Sequence, residues 1–458
     1  MIALALLGLA TGCWTDPDPT AAGEGRGGQD RPPDVFIVTV DTLRRDHVGA
    51  YNPDSPAETP AMDALAADSL RFNDAFSPIS VTGPAFTSAF TGLYPDKHGV
   101  LLNLFRNGTA LDEQHTTLAE LMKASGYSTG AFVSAFTLRP ALGLNQGFDV
   151  YNSGGQKNRK GGQTAAVFSK WLRVQEGPVF AWYHSFDPHG PVSRHLQEGD
   201  LTATLEREPG LMDHFPQYQR IEDITDPTLY ETLYARGVSF ADKQVAKVLT
   251  AIRASGRYDD AIIVFFSDHG EGFRERSLWY DHGAFSHVEQ TLVPLMVKLP
   301  GGERAGEIDD RLASLVDVTP TVVELASIEG LPPVDGRSLM HPSGGHTTVL
   351  SESSHCKRIA VLDCMPAGGE GKVLAVRDAH TTLVSEPRTA GEVLMSYDRT
   401  QDPKEWSGVQ VEAAGALKDV LDAMRSDRRG RSYGALPALG ARDVDAETQQ
   451  LRALGYVE

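Results

Sequence analysis

The sequence predicts an α/β protein whose core is a mostly parallel sheet buried on both faces. Six apolar or β-branched residues run without alternation from Val35 to Val40, and a second run spans Ala261 to Phe266. Unbroken apolar runs of this length are typical of strands in parallel sheets, because helices cover both faces of such sheets. Residues 229–255 repeat apolar side chains at helical spacing. The helix that they predict would pack on the sheet.

Acidic residues follow both of these strands. Asp41 comes directly after the first run, and Asp268 and His269 come after the second. Because the carboxyl ends of strands in open α/β sheets form the ligand crevice, both carboxylates are expected there. Two carboxylates and an imidazole at one edge favour a shared metal site. An aspartate after a strand is also a common helix cap or turn residue, which is the alternative for either aspartate alone.

Further elements complete the layered architecture. Thr59 and Pro60 have the chemistry of a helix start. Additional helices are predicted around 118–122, 317–326, 413–424 and 446–454, and additional strands at 127–134, 179–183, 293–299, 373–377, 381–385 and 393–397. Residues 193–227 are polar and irregular, which indicates a surface loop over the site. The short β-rich stretches after Thr347 predict a small antiparallel sheet.

The composition limits the classes of partner. The chain of 458 residues is 41% hydrophobic and 22% charged, with a formal net charge of −19. Bulk electrostatics therefore exclude binding to nucleic acid or to an anionic membrane surface. Three cysteines are too few for a disulfide scaffold or a structural zinc site. Cys356 and Cys364 could bridge in an oxidising compartment, but their spacing does not establish the pairing.

The N-terminal residues resemble an export signal. Residues 1–13 are apolar and end in a cysteine, which resembles a bacterial lipoprotein signal with Cys13 as the lipidated residue. Two features depart from that pattern: no Lys or Arg precedes the apolar run, and Ala10 stands where leucine is usual. The alternative is a short secretory signal with an incidental cysteine. The run is too short to span a bilayer.

These features predict the localisation and the domains. Residues 14–33 are rich in Gly and Pro and are expected to form a flexible tether. We expect a protein of the bacterial cell envelope, either lipid-anchored or periplasmic or extracellular, with membrane contact only through the anchor. A catalytic domain is expected at 34–345, followed by a C-terminal subdomain at 346–458 with the small sheet and the terminal helices.

Several motifs carry a family resemblance. They are VTVDTLRRDHVGAYN, TPAMDALAADSLRFNDAFSP, TGLYPDKHGV, TLAELMKASGYSTGAFVS, DPHGP, SDHGEGF, LVDVTPTVVELASIEG and LRALGYV. In this order, from Asp34 to the end, they resemble the sulfatase branch of the alkaline phosphatase superfamily. The resemblance implies an alkaline-phosphatase-like α/β sandwich with a C-terminal four-stranded sheet and a helix. It also implies hydrolysis of sulfuric or phosphoric esters, whether small molecules, glycans or lipids.

The nucleophile motif departs from the family. When the family's motifs are aligned on Thr91-Gly92-Leu93-Tyr94-Pro95, the nucleophile motif C/S-x-P-x-R falls on residues 82–86. Its first position is then Thr82 and its last is Phe86. Formylglycine chemistry is therefore not expected, and Thr82 resembles the threonine nucleophile of related phosphodiesterases. Pro84 just inside a helix would place Thr82 at the positive helix end, which favours an alkoxide. The alternative is that Thr82 only caps this helix.

The resemblance implies roles for further residues. The expected metal ligands are Asp41, Thr82, Asp268 and His269, with Asp187, His189 and His282 as a possible second metal site. His98, His189 and His282 are candidate catalytic residues beside Thr82, and Lys97, His189 and His282 are candidate substrate contacts. For His287, a solvated surface position is the favoured alternative to a ligand role.

The ligand set favours particular metals. Thr42 stands where relatives carry a second aspartate, and His269 replaces an amide-type ligand. One carboxylate fewer and one imidazole more favour zinc or manganese, with calcium open from the resemblance. The competing hypothesis for the whole chain is a catalytically impaired, sulfatase-like envelope binding protein. The loss of the formylglycine precursor and of the arginine at Phe86 favours that hypothesis, and the retained aspartates and histidines oppose it.

Overall fold

An eight-stranded mixed sheet forms the centre of the structure. The computed structural model describes residues 31–103, 110–155, 157–202, 205–276, 279–341, 344–354, 372–388, 391–412 and 415–428. The strands are β1 (Val35–Val40), β2 (Leu70–Phe72), β3 (Ala75–Phe76), β4 (Ser128–Phe132), β5 (Val150–Asn152), β6 (Val179–Ser185), β7 (Ile262–Phe266), β8 (Leu295–Lys298), β9 (Ile308–Asp309), β10 (Ala313–Ser314), β11 (Val349–Glu352), β12 (Leu374–Arg377), β13 (Thr381–Arg388), β14 (Gly391–Asp398) and β15 (Val409–Val411). The helices are α1 (Pro60–Ala67), α2 (Thr82–Thr91), α3 (Pro95–His98), α4 (Leu118–Ala124), α5 (Gly161–Leu172), α6 (Pro227–Ala254), α7 (Val288–Thr291), α8 (Val318–Leu325) and α9 (Ala416–Arg428).

The order of strands in the large sheet is β5-β4-β6-β1-β7-β8-β2-β9. Strands β5, β4, β6, β1 and β7 run parallel to their neighbours, whereas β8 is antiparallel to both β7 and β2. The prediction of a mostly parallel mixed sheet is therefore confirmed. A separate two-stranded pairing joins β10 to β3.

Strand β1 shows why the apolar run predicted a doubly covered strand. Val35 and Ile37 belong to the hydrophobic cluster that includes the side chains of α2, α4 and α8. Phe36 and Val38 belong to the cluster on the other face, which includes the apolar side of α6. Because successive side chains of a strand point to opposite faces, each face of β1 needs an apolar residue at every second position.

The register of three strands places their ends at one level. Val40 of β1 lies beside Ser185 of β6, and Thr39 lies beside Phe266 of β7. The segments that follow these strands therefore emerge together at the carboxyl edge. This edge receives Asp41 from β1, His184 from β6 and Asp268 from the turn after β7.

The C-terminal sheet has five strands rather than the expected four. It is antiparallel, in the order β11-β12-β13-β14-β15, and helix α9 packs Leu417 and Leu421 against it. The edge strand β15 has only three residues, which are too few for an alternating pattern to predict a strand, and its Val409 is 66% exposed.

The loop prediction for residues 193–227 is consistent with the structure, where short 3₁₀ turns separate irregular segments. The predicted signal, most of the tether, all three cysteines and the predicted helix at 446–454 lie outside the described residues. Within the described part of the chain, no helix has both the length and the apolar character needed to cross a membrane.

Candidate active site

Thr82 is the first residue of helix α2. Val81 occupies the N-cap position, and neither its side chain nor that of Thr82 makes a capping hydrogen bond. The Thr82 Oγ1 atom instead lies 3.4 Å from Nε2 of His269. The alternative that Thr82 is only a helix cap is therefore wrong. Its hydroxyl lies fully buried at the positive end of a ten-residue helix.

Three side chains beside Thr82 form a group with the spacing of metal ligands. One ligand atom from each of Asp41, Asp268 and His269 lies within 4.8 Å of the others, and all three residues are fully buried. Asp41 Oδ1 and Asp268 Oδ2 have no hydrogen-bond partner among the described residues. Buried carboxylate oxygens are normally paired, so two orphan oxygens in one group fit a missing cation.

The imidazole of His269 is oriented for the same role. Its Nδ1–H donates to the Gly270 carbonyl at 2.8 Å, so the Nε2 lone pair is available to a ligand. Nε2 lies 3.3 Å from Asp268 Oδ2. The donor set of two carboxylates, one imidazole and one hydroxyl therefore fits a divalent metal ion.

Burial dominates the electrostatics of this group. Burial, and then the charge of Asp41, raise the pKa of Asp268 to about 7. Burial, followed by the Glu271 charge, raises the pKa of Asp41 well above its ordinary value, while the Thr82 hydroxyl and the Arg194 guanidinium act in the opposite direction. Burial lowers the pKa of His269 to about 4. A bound cation would stabilise both carboxylates in their ionised form and so offset the free-energy cost of burying their charges.

The backbone at Thr42 holds the two aspartates together. Thr42 has φ +53°, a left-handed conformation that a β-branched residue rarely adopts. Its N–H donates to Asp268 Oδ1 at 3.2 Å, and its hydroxyl donates to the Asp41 carbonyl at 2.8 Å. Thr42 therefore supports the ligands through hydrogen bonds.

His184 is a site residue that the sequence analysis did not assign. It is fully buried in β6, and its Nε2 lies 3.2 Å from Asp41 Oδ2. The backbone N–H of Ser134 donates to its Nδ1 at 3.3 Å, so the proton is on Nε2 and is donated to Asp41. Phe86, at the expected arginine position, packs its ring edge-on against His184 at 5.2 Å. The sequence feature that could have identified His184 is its position as a histidine near the end of a predicted buried strand.

Three imidazoles line the site next to Thr82. The ring centroids of His269 and His282 are 4.4 Å apart, and those of His282 and His189 are 5.0 Å apart. His282 Nδ1 pairs with the carboxylate of Glu271 at 3.2 Å. His189 Nδ1–H donates to the Gly190 carbonyl at 2.9 Å, and its ring stacks on Phe186. Glu271 lies in the SDHGE motif, but only the fold shows that it pairs with His282.

The side chain of Asn103 contacts the first turn of α2, at the residue that follows Thr82. Its Oδ1 accepts from the Gly83 N–H at 2.7 Å, and its buried Nδ2 has no partner among the described residues. A Cβ at Gly83 would approach Asn103 Oδ1 to 2.8 Å, so the close contact requires glycine. The Asn103 Nδ2 group thus carries two N–H donors that have no partner in the described part of the chain.

Two other predicted site residues, His98 and Lys97, make the contacts that the structure shows with residues outside this group. His98 bonds Ser88 at 2.9 Å and accepts the N–H of Val100, and burial lowers its pKa to about 3. Lys97 is part-exposed and pairs with Asp335.

Asp187, which was predicted as a ligand of a second metal site, is hydrogen-bonded within the protein. The Asp187 carboxylate accepts from Ser185 Oγ at 2.6 Å and from the Gly161 N–H at the start of α5. Among the described residues, the three-ligand grouping of Asp41, Asp268 and His269 has no counterpart that contains Asp187, His189 and His282. The preference for a solvated His287 is also wrong, because this residue is fully buried and lies 3.3 Å from the Tyr397 hydroxyl.

Known proteins share this fold and align with most of this chain. Residues 33–328 match the family model described as Sulfatase. The chain is 24% identical to the uncharacterised sulfatase YidJ of Escherichia coli K12, over 89% of this chain and 90% of that protein. The structure superposes on the phosphonate monoester hydrolase of Agrobacterium radiobacter with a TM-score of 0.64, at 20% identity, covering 92% of this chain and 96% of that one.

A second solved structure, BT4656 in complex with its substrate D-glucosamine-2-N,6-O-disulfate, superposes with a TM-score of 0.67 at 17% identity. The alignment covers 88% of this chain and 99% of that chain. The family match spans well over half of the 458 residues, and it includes the motifs that deliver Asp41, Thr82 and Asp268. The chain belongs to the sulfatase family of alkaline-phosphatase-like ester hydrolases.

Proposed function

We propose that this protein is a metal-dependent hydrolase of sulfate- or phosphate-type esters in which unmodified Thr82 is the nucleophile. The observation that carries the proposal is the position of the Thr82 hydroxyl, at a helix start and 3.4 Å from His269 in the ligand group. Asp41, Asp268, His269 and Thr82 would hold the metal. When bound, a divalent cation supplies the positive charge that favours an ionised hydroxyl and an anionic ester.

The first chemical step forms a covalent ester of Thr82. Thr82 Oγ1 attacks sulfur or phosphorus, and the bond from that atom to the leaving-group oxygen breaks. His282 is placed to give the leaving oxygen a proton, because its pairing with Glu271 stabilises a protonated ring. The free N–H groups of Asn103 would bind a non-bridging oxygen of the ester.

The second step releases the acid by hydrolysis. Water attacks sulfur or phosphorus, and the bond to Thr82 Oγ1 breaks, which restores the hydroxyl. His189 can accept the proton from water at Nε2, because its Nδ1 already donates to Gly190. Burial, with the neighbouring His282 and other contacts, lowers the pKa of His189, so this ring is neutral at pH 7.

The chemistry of Thr82 favours phosphorus over sulfur. A hydrated formylglycine can expel sulfate from its intermediate through a second hydroxyl, whereas a threonine ester depends on external water. Attack by water is accessible at phosphoryl or phosphonyl groups beside cationic and imidazole side chains. A sulfated glycan remains a candidate substrate, because BT4656 was solved with a disulfated glucosamine as its substrate.

A binding protein without turnover is the weaker hypothesis. Such a protein would have no need for a nucleophile at a helix start together with two orphan carboxylate oxygens. A screen of aryl sulfates, phosphate monoesters, phosphodiesters and phosphonate monoesters, each with zinc, manganese and calcium, tests the proposal. We expect turnover of at least one phosphorus ester with zinc or manganese. No turnover with any combination would favour the binding protein.

We also propose that the protein is exported and anchored through Cys13, as the apolar start of the sequence indicates. Replacing Cys13 by Ser should release the protein from the membrane fraction into the soluble fraction of the envelope. A wild-type protein found soluble in the cytoplasm would contradict this proposal.

A further inference from the structure

Arg44 and Arg194 line a cavity of about 1080 Å³, and both also donate to backbone carbonyls next to active-site side chains. Arg194 donates to the Gly190 carbonyl at 2.7 Å, which is the same carbonyl that accepts the proton of His189. Arg44 donates to the Glu271 carbonyl at 3.1 Å, and the Glu271 carboxylate pairs with His282. Arg194 therefore contacts the peptide group that follows His189, and Arg44 contacts the backbone of the residue that pairs with His282.

The cavity wall is cationic although the protein is acidic. Six arginine and lysine side chains line it, against four acidic ones: Arg44, Arg194, Arg236, Lys243, Arg274 and Lys404, against Asp46, Glu58, Glu231 and Glu275. This local excess of two positive charges occurs in a chain whose formal net charge is −19. A concave wall with a net positive charge attracts anionic ligands.

Two of the six cations are neutralised by neighbours. Arg44 is paired with Asp46 and Glu275, and Arg236 is paired with Asp200. In the portion of the chain that the structure describes, no ion pair involves the other four: Arg194, Lys243, Arg274 and Lys404. All four are exposed residues whose charged ends can reach a ligand.

Aromatic rings support three of these unpaired cations, of which the Arg194 guanidinium lies 5.7 Å from the ring centroid of Phe186. Lys404 Nζ lies 4.9 Å from the ring centroid of Trp406, and the Arg274 guanidinium lies 5.7 Å from that of Trp279. Trp406 lines the cavity and is 61% exposed. A cation beside an open aromatic face suits a ligand with an anionic group on a ring-shaped skeleton.

We infer that this cavity binds the leaving-group side of the substrate through a second anionic group. The preferred substrates are then esters with at least two anionic groups, one at the reacting centre and one in the cavity. Arg194 links the two positions, since it lines the cavity and donates to the same Gly190 carbonyl that accepts from His189. This inference rests on the proposed ester hydrolysis, because it states where the leaving group of that reaction binds.

The test compares two double variants of the metal-loaded full chain. Arg274→Ala with Lys404→Ala removes two cavity cations, and Lys170→Ala with Arg173→Ala removes two exposed cations at the end of α5, outside the cavity. The probe is sucrose octasulfate, a small polyanionic sugar, titrated calorimetrically at 50 mM and 500 mM NaCl. We expect the cavity variant to bind at least about tenfold more weakly at low salt and the control variant to bind like wild type.

Turnover of a small ester with a single anionic group separates this inference from the proposed function. The cavity variant should keep the wild-type kcat/KM for that ester, because neither residue belongs to the reacting centre. If wild type hydrolyses no ester, the proposed function fails, and the binding data still test the cavity. A Kd for the cavity variant within twofold of wild type, or equal weakening in both double variants, would overturn the inference.

Discussion

His184 Nε2 donates to Asp41 Oδ2 across 3.2 Å, and the tautomer that allows this is fixed by the Ser134 N–H on the other side of the ring. One oxygen of Asp41 is thereby occupied, and the other, Oδ1, is left without a partner in the described structure. The arrangement orients the carboxylate so that one defined oxygen is available to a cation.

Replacing His184 by Ala should therefore weaken metal binding by about 10- to 100-fold, because Asp41 loses the donor that orients it. Gln can place an amide N–H near the position of Nε2, so His184→Gln should recover most of the affinity. The measurement is competition of the protein with a fluorescent chelator for zinc or manganese, which needs no turnover.

His287 provides a matched control for that experiment. It is equally buried, but it lies beside Tyr397 rather than beside the aspartates. His287→Gln should leave the metal affinity at the wild-type value. If His184→Ala binds metal as tightly as wild type, His184 is only a packing residue of β6.

Glu271 should matter most for esters with poor leaving groups. Its carboxylate stabilises the protonated ring of His282, and a protonated donor is needed only when the leaving oxygen is strongly basic. We expect Glu271→Gln to lower kcat/KM by about 10²- to 10⁴-fold for an alkyl ester and by less than about tenfold for a 4-nitrophenyl ester. Steady-state kinetics on the two esters supply the comparison, and an equal loss on both would show that Glu271 has another role.

The metal-free protein should be destabilised by its own ligand group as the pH rises. A carboxyl whose folded pKa lies above its unfolded value binds more protons in the fold, so its contribution to the free energy of unfolding falls between the two pKa values. For Asp268 this window runs from its ordinary pKa of 3.8 up to about 7, because burial and the Asp41 charge raise the folded pKa.

Asp268→Asn removes this contribution, and it also removes the charge that, against the larger effect of burial, raises the pKa of His269. Chelator-treated Asp268→Asn should be more stable than chelator-treated wild type at pH 8, with the difference shrinking towards pH 4 by at most about 1.4 kcal/mol per pH unit. Added zinc or manganese should reverse the order. Urea unfolding at several pH values gives these differences, and a metal-free Asn variant that is the less stable protein at pH 8 would refute the account.

The large sheet and the metal group could be predicted because their signals are local. An unbroken apolar run predicts a doubly covered strand, and a carboxylate after it lies at the carboxyl edge, so Asp41, Asp268 and His269 were found from sequence. The resemblance supplied Thr82, and the structure added that its hydroxyl bonds His269 rather than capping α2.

Residues whose roles depend on partners distant in sequence could not be assigned in this way. His184 is 143 positions from Asp41, and Arg194 acts on Asp41 from within an irregular loop. Asp187 shows the converse: it lies two residues from His189, yet its carboxylate is occupied by Gly161 at the start of α5. Short spacing alone therefore does not make Asp187 a metal ligand, and the second metal site stays a prediction.

The most direct test of the account is the turnover of Thr82→Ala compared with Thr82→Ser on the best ester from the substrate screen. Without a hydroxyl at residue 82, kcat should fall at least about a thousandfold, with KM nearly unchanged. Thr82→Ser keeps the hydroxyl and should retain kcat within about tenfold of wild type. Metal analysis of both variants checks that the ligand group is still loaded. If loaded Thr82→Ala turns over the ester at the wild-type rate, Thr82 is not the nucleophile and the mechanism is wrong.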